Sequence, residues 1–144
     1  PRVYSLEGAF YGFMIRFEPL KVRKYGALSE EANKRALELD SREAQAWMEK
    51  ANIAFYKPAF AGGDKEEAVT LYEKAVSLFE AFPEGLTNNW LYLNCQVGLA
   101  MAYEETDRLQ AARKLYEKML RREPSFQWVS KDLYPRLLEK QGAN

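Results

Sequence analysis

Three segments of this 144-residue chain repeat one another, and the repetition limits the fold more than any other feature. "NKRALELD" ends at Asp40, "YEKAVSLF" at Phe79 and "YEKMLRRE" at Glu123, which makes Ala36, Ala75 and Met119 equivalent. Their separations are 39 and 44 residues, longer by roughly five and ten than a helix–turn–helix unit of about 34 residues. One such unit cannot bury its own apolar face. Units of this kind stack on their neighbours and form a row with a shared core.

Apolar residues recur at helical spacing along nearly the whole chain. Ala44, Trp47, Met48, Ala51, Ala54 and Phe55 make one stripe, Ala68, Leu71, Tyr72, Ala75, Val76, Phe79 and Phe82 a second, and Leu109, Ala112, Leu115, Tyr116, Met119 and Leu120 a third. No segment alternates with the period of a strand, so the predicted class is all-α. Helices are expected at 3–17, 29–39, 42–56, 65–81, 90–105, 108–122 and 126–140. Asp64 with Glu67, and Asp107 with Gln110, have capping-box spacing. Ser29, Asp40 or Ser41, Asn88 or Asn89, and Ser125 precede other helices, and Trp90 is expected to enter the core. Pro135 is expected either to kink the last helix or to start a separate turn.

The third unit carries Leu99-Ala100, Tyr103, Ala112, Tyr116, Met119 and Pro124 in one register, and the second carries Trp47, Ala51, Ala68, Tyr72 and Ala75. Small residues let paired helices approach, and large ones fill the gaps between layers. The first unit departs from this: Tyr4, Gly8 and Tyr11 fit, but Ser29 and Asn33 stand where Ala and an aromatic are usual. On these residues the chain resembles the tetratricopeptide-repeat family. The resemblance implies an α-α superhelix of about three helix pairs with a C-terminal capping helix. More narrowly, "KPAFAGG" with the later Asn89-Trp90 resembles a bacterial subgroup with a Pro-x-x-x-Gly-Gly insertion between paired helices. The expected organisation is a single domain over 1–144, with units at 3–40, 42–82 and 90–123 and a cap at 125–140. Because the chain starts at Pro1, it is expected to be a piece of a longer one, and its localisation is left open.

The elongated turn poses the question of catalysis. Pro58 ends the Trp47 helix, Gly62 and Gly63 permit positive φ, and Phe60 is expected to plug the turn onto the helix pair. Gly62-Gly63-Asp64 also opens the signature of cyclic-dinucleotide synthases. Lys65-Glu66 replaces the Glu-Phe that follows it there, and that signature sits on a β-hairpin. A phosphate cradle is disfavoured because Asp64, Glu66 and Glu67 crowd the helix start with negative charge. The structural reading, a rigid elongated turn, is preferred.

The chain has no histidine, one cysteine, and 21 basic against 21 acidic residues. The commonest general base and metal ligand is therefore missing. A balanced charge disfavours nucleic acid as a partner. No apolar run has the length of a membrane span, and Cys95 reads as a buried thiol. Basic clusters at Lys21, Arg23 and Lys24 and at Arg113, Lys114, Lys118, Arg121 and Arg122 read as solvated helix faces with acids nearby. No catalytic, cofactor or metal residue is expected.

The resemblance implies action by binding, with a protein or peptide in the concave groove lined by the first helix of each pair. The groove candidates are Gln45, Met48, Asn52, Phe55, Asn94, Val97, Met101 and Glu104, with Tyr56 beside Phe55, and Ser5, Ala9 and Phe13 on the first pair. Alternatively, Met48, Phe55, Val97 and Met101 are inter-helix core. The chaperone-tail clamp of some repeat proteins needs several Lys, Arg and Asn residues on these faces, and only Asn52 matches. A carboxylate enzyme, or its accessory domain, near the Gly-Gly turn and a helical-repeat RNA binder are the disfavoured alternatives.

Overall fold

A computed structural model describes residues 1–142. Seven helices follow one another: α1 Arg2–Phe17, α2 Val22–Leu39, α3 Ala44–Tyr56, α4 Lys65–Glu80, α5 Trp90–Glu105, α6 Leu109–Arg122 and α7 Tyr134–Gly142. Helices α1 and α2, α3 and α4, and α5 and α6 pack as pairs. Each new pair docks its first helix on the pair before it: α3 rests on α1 and α2, and α5 on α4 and α3. Among the described residues there is no strand. The molecule is an all-α solenoid of three helix pairs closed by α7.

Two apolar clusters fill the row. Met48, Ala51, Phe55, Ala68, Tyr72, Ala75, Cys95 and Leu99 form the one between the second and third pairs. Val97, Ala100, Ala112, Tyr116, Met119, Val129, Leu133 and Leu137 form the one beneath the cap. Small residues mark the close approaches. A Cβ on Gly98 would stand 2.5 Å from the Tyr72 ring, so α5 crosses α4 where it has no side chain. The first pair solves the same problem differently. Asn33 occupies the place of Tyr72 and Tyr116, Gly8 lies against its amide, and the buried Ser29 hydroxyl donates to the Gly8 carbonyl at 2.8 Å. Ser29 therefore ties two helices together and starts none. Helix α2 begins at Val22, seven residues before the expected start.

Several caps differ from expectation. Asp64 Oδ1 accepts the Glu66 and Glu67 N–H groups, but its own N–H goes to the Ala54 carbonyl, so the reciprocal half of the box is replaced by a bond to α3. Asn89 caps α5 through Tyr92 N–H. Asp107 does not cap α6. It sits at φ 60° as the left-handed residue closing α5, with Arg108 N–H bonded to the Tyr103 carbonyl at 2.8 Å. Asp40 accepts the Arg42 N–H, and the Ser125 hydroxyl donates to Glu123; neither caps a helix.

Several aromatic placements also differ. Trp90 stands 61% exposed against Phe126, while Tyr92, two residues on, takes the core position. Phe60 projects into solvent, because the turn closes through its own backbone. Trp47 and Tyr103 are half-buried at the rim of the clusters, Trp47 donating its indole N–H to the Ser41 carbonyl. The cap rests on Val129, Leu133 and Leu137, whereas Trp128 and Leu138 remain exposed. A π-turn over Val129–Leu133 widens the helix just before Pro135, with Tyr134 N–H bonded to the Val129 carbonyl. That spare residue accommodates the proline ring, so the helix continues through Pro135.

Candidate functional site

Helix α3 follows directly on "SRE" and is terminated by Pro58; α5 is started by Asn89 and stopped at Asp107. These signals bound two helices of 13 and 16 residues. Odd-numbered helices pack on one another along the row, α1 on α3 and α3 on α5. The even ones are bridged by long side chains, such as Lys118 reaching Glu80 at 2.7 Å. Helices α1, α3 and α5 therefore make one edge of the row, with α2, α4 and α6 on the other.

The structure divides the expected groove residues into two sets. Gln45, Met48, Phe55 and Val97 are buried and form part of the core. Their methyl, thioether and ring surfaces are used up in packing, which is the alternative weighed for three of them. Ser5 is buried as well. Asn52, Asn94 and Met101 are half-exposed, and Tyr56 and Phe13 are exposed. Glu104 is on the same edge but engaged: one carboxylate oxygen accepts the Tyr116 hydroxyl and the other accepts Lys140 of α7, both at 2.8 Å, and its side chain is 3% exposed.

A second polar node lies one repeat earlier. The Tyr72 hydroxyl donates to Asn52 Oδ1, and Asn52 Nδ2 donates to Glu49 Oε2 at 3.1 Å. Glu49, Asn52 and Tyr56 occupy positions i, i+3 and i+7 and share one face of α3. Burial raises the Glu49 carboxyl above the ordinary carboxylate range, and the Asn52 hydrogen bond offsets part of that. Burial also pushes the Tyr72 phenol and the Cys95 thiol well up, so both are neutral at ordinary pH. Glu49 escaped the sequence reading. Its only signal was its position three residues before Asn52, which in a charged helix reads as solvent-facing.

The elongated turn contains a cradle for its own backbone. Ala61 and Gly63 N–H both bond to the Pro58 carbonyl, and a Cβ on Gly63 would stand 1.7 Å from the Lys57 carbonyl oxygen. Gly62 takes φ 92°. A cavity of about 500 Å³ lies beside this turn between α2, α3 and α4, with Leu37, Ile53 and Leu71 in its wall and the Lys57–Glu30 ion pair on its rim. Among the described residues, no three His, Cys, Asp or Glu side chains come together as metal ligands would, and no helix is long and apolar enough to cross a membrane.

Helix pairs stacked in sequence order define a tetratricopeptide-like solenoid. Residues 60–82 and 93–126 match the tetratricopeptide repeat family. The second segment covers α5 from Leu93 on, all of α6 and the following Pro124, the unit whose sequence register is most complete. No curated protein matches the chain. Proteins with this repeat generally mediate protein–protein contact.

Proposed function

We propose that the chain is a non-enzymatic scaffold or adaptor that holds a protein or peptide partner on the inner face of α3 and α5. The observation that carries this is the alignment of half-exposed Asn52, Asn94 and Met101 on neighbouring first helices, above a core built from Met48, Phe55 and Val97. Amides match a peptide backbone in both donor and acceptor, and a methionine adapts to side chains of varied shape. The acids of the turn serve local structure: Asp64 caps α4, and Glu66 pairs with Arg108 at 2.8 Å. The same reading assigns the chain to the bacterial subgroup that its Pro58-x-x-x-Gly62-Gly63 turn and Asn89-Trp90 pair resemble. The partner is a protein, and nucleic acid is not expected.

The test is affinity capture with the immobilised chain. Asn94→Ala combined with Met101→Glu is expected to weaken retention of the captured partner at least ~10-fold, about 1.4 kcal/mol, with circular dichroism unchanged. Full retention by that variant, with loss on neutralising Arg113, Lys114 and Arg121, would move the contact surface to α6 and reject the groove.

A further inference from the structure

We infer that the free face of α1 docks on an anionic membrane surface, with the helix lying along the bilayer and its apolar side chains in the headgroup layer. Helix α1 packs on α2 and α3, and its buried Ser5 and Gly8 mark the side turned to them. On the other side, Val3, Leu6, Phe10, Phe13 and Phe17 are each more than half exposed, and Leu20 just beyond them is fully so. Steps of three and four residues keep the helical members on one line. The Phe13 and Phe17 rings meet edge to face with centroids 4.9 Å apart, so the apolar surface is continuous there. At on the order of 200 Å² for a phenylalanine, the exposed parts of the stripe offer roughly 500–600 Å² of apolar surface, the upper end of what a monomer ordinarily leaves uncovered.

Charge decides what covers it. In the first 24 residues Arg2, Arg16, Lys21, Arg23 and Lys24 stand against Glu7 and Glu18, a surplus of three positive charges (five less two) in a chain whose total is zero. All five cations are exposed, and among the described residues only Lys21 has an ion pair, with Glu18. At helical spacing Arg2 and Arg16 fall along one flank of the stripe. Lys21, Arg23 and Lys24 follow its end and alternate with the exposed Leu20 and Val22. A second copy fits this face poorly. Both ends of the stripe carry cations, so two α1 helices paired in either direction would bring like charges together. A protein partner would need a preformed groove to receive a ridge of rings, whereas a fluid headgroup layer closes around it, and anionic headgroups supply the counter-charge. No helix of the described residues is long and apolar enough to cross a bilayer. A helix that lies along the surface needs only one apolar face with Lys or Arg beside it.

The test is co-sedimentation of the intact chain with vesicles of phosphatidylcholine alone and with vesicles in which about one-third of the lipid is phosphatidylserine. Binding is expected to be at least ~10-fold stronger to the anionic vesicles and to weaken as salt is added. Phe10→Ser with Phe13→Ser is expected to abolish it, and Arg23→Gln with Lys24→Gln to weaken it at least ~10-fold, with circular dichroism unchanged in both. Arg121→Gln with Arg122→Gln, on α6, is expected to have no effect, which separates this face from basic charge in general. No binding to the anionic vesicles, or an equal loss in the α6 variant, would overturn the inference. Binding that survives Phe10→Ser with Phe13→Ser would overturn it too, by reducing the contact to charge alone. Self-association without lipid that is lost in the same variant would give the stripe to a second copy. Capture of a glutamate-rich peptide in place of vesicles would give it to an acidic protein, and both results stand against this inference. None of these outcomes bears on the α3–α5 groove, which the capture experiment decides.

Discussion

Glu49 shows how a single half-buried side chain sets a pH-dependent stability cost. Its carboxyl titrates above the usual range because burial disfavours the charged form. An acid whose folded value is raised favours folding while it is protonated. That advantage is complete below the ordinary carboxylate value and disappears as pH rises through the raised one, leaving the burial cost at neutrality. Glu49→Gln retains the acceptor for Asn52 Nδ2 and removes the charge. It is expected to raise the melting midpoint at about pH 7 by roughly 2 °C and to leave it unchanged at about pH 3, where the carboxyl is largely protonated in both states. Glu80 behaves oppositely: although burial opposes it, hydrogen bonds from Lys118 and Tyr92 hold its carboxyl low, so its contribution is lost as pH falls. The two acids cannot be told apart by sequence, since each follows an ordinary charged helix pattern. Melting curves of Glu49→Gln that match the parent at both pH values would reject a carboxyl raised by partial burial.

At the scale of elements, the helices were legible and the joints only partly so. Repeated stripes located α3 to α6 to within about two residues, because core-facing residues must recur at helical period. The start of α2 was not legible. Ser29 has the chemistry of a cap, and only the approach of Gly8 reveals that its hydroxyl is spent across the helix pair. Asp107 likewise looks like a cap, but the reversal after α5 needs a residue tolerant of positive φ, and aspartate serves there as glycine would. The groove was read by spacing alone, so it gathered Gln45, Met48, Phe55 and Val97, whose side chains turn a fraction of a helical turn too far inward. The two glycines of the elongated turn were both read as conformational, yet they have different reasons to exist. Gly62 needs its positive φ and has open space around it, whereas Gly63 leaves room for the Lys57 carbonyl. Gly62→Ala is therefore expected to cost about 1 kcal/mol, and Gly63→Ala about 2–3 kcal/mol through overpacking against backbone. Denaturant midpoints order the two; a larger loss at Gly62 would contradict the closed turn.

For the whole molecule, the decisive property is that each pair is completed by its neighbour. The π-turn and α7 cover the last pair with Val129, Leu133 and Leu137, all buried. At the other end, α1 presents Val3, Leu6, Phe10, Phe13 and Phe17, each more than half exposed. These lie at alternating steps of three and four residues and so form one apolar stripe along the helix. Burial, more than residue type, decides what a substitution does here. Ala100 has no exposed surface and lies between α5, α6 and the cap, packed with Tyr116, Met119 and Val129. Ala100→Arg forces a long charged side chain into that contact and is expected to cost more than ~3 kcal/mol. It should loosen the α5–α6 pair and the cap together, since both share one cluster. Phe10→Ser with Phe13→Ser removes two large rings and is expected to change stability by under ~1 kcal/mol, because those rings already face solvent. The same double variant should lower concentration-dependent light scattering by reducing the exposed apolar stripe. The pair of measurements separates core from surface at opposite ends of the row. A near-neutral Ala100→Arg would refute the register that places α6 on α5, and a strongly destabilising change at Phe10 and Phe13 would place the α1 stripe inside the core.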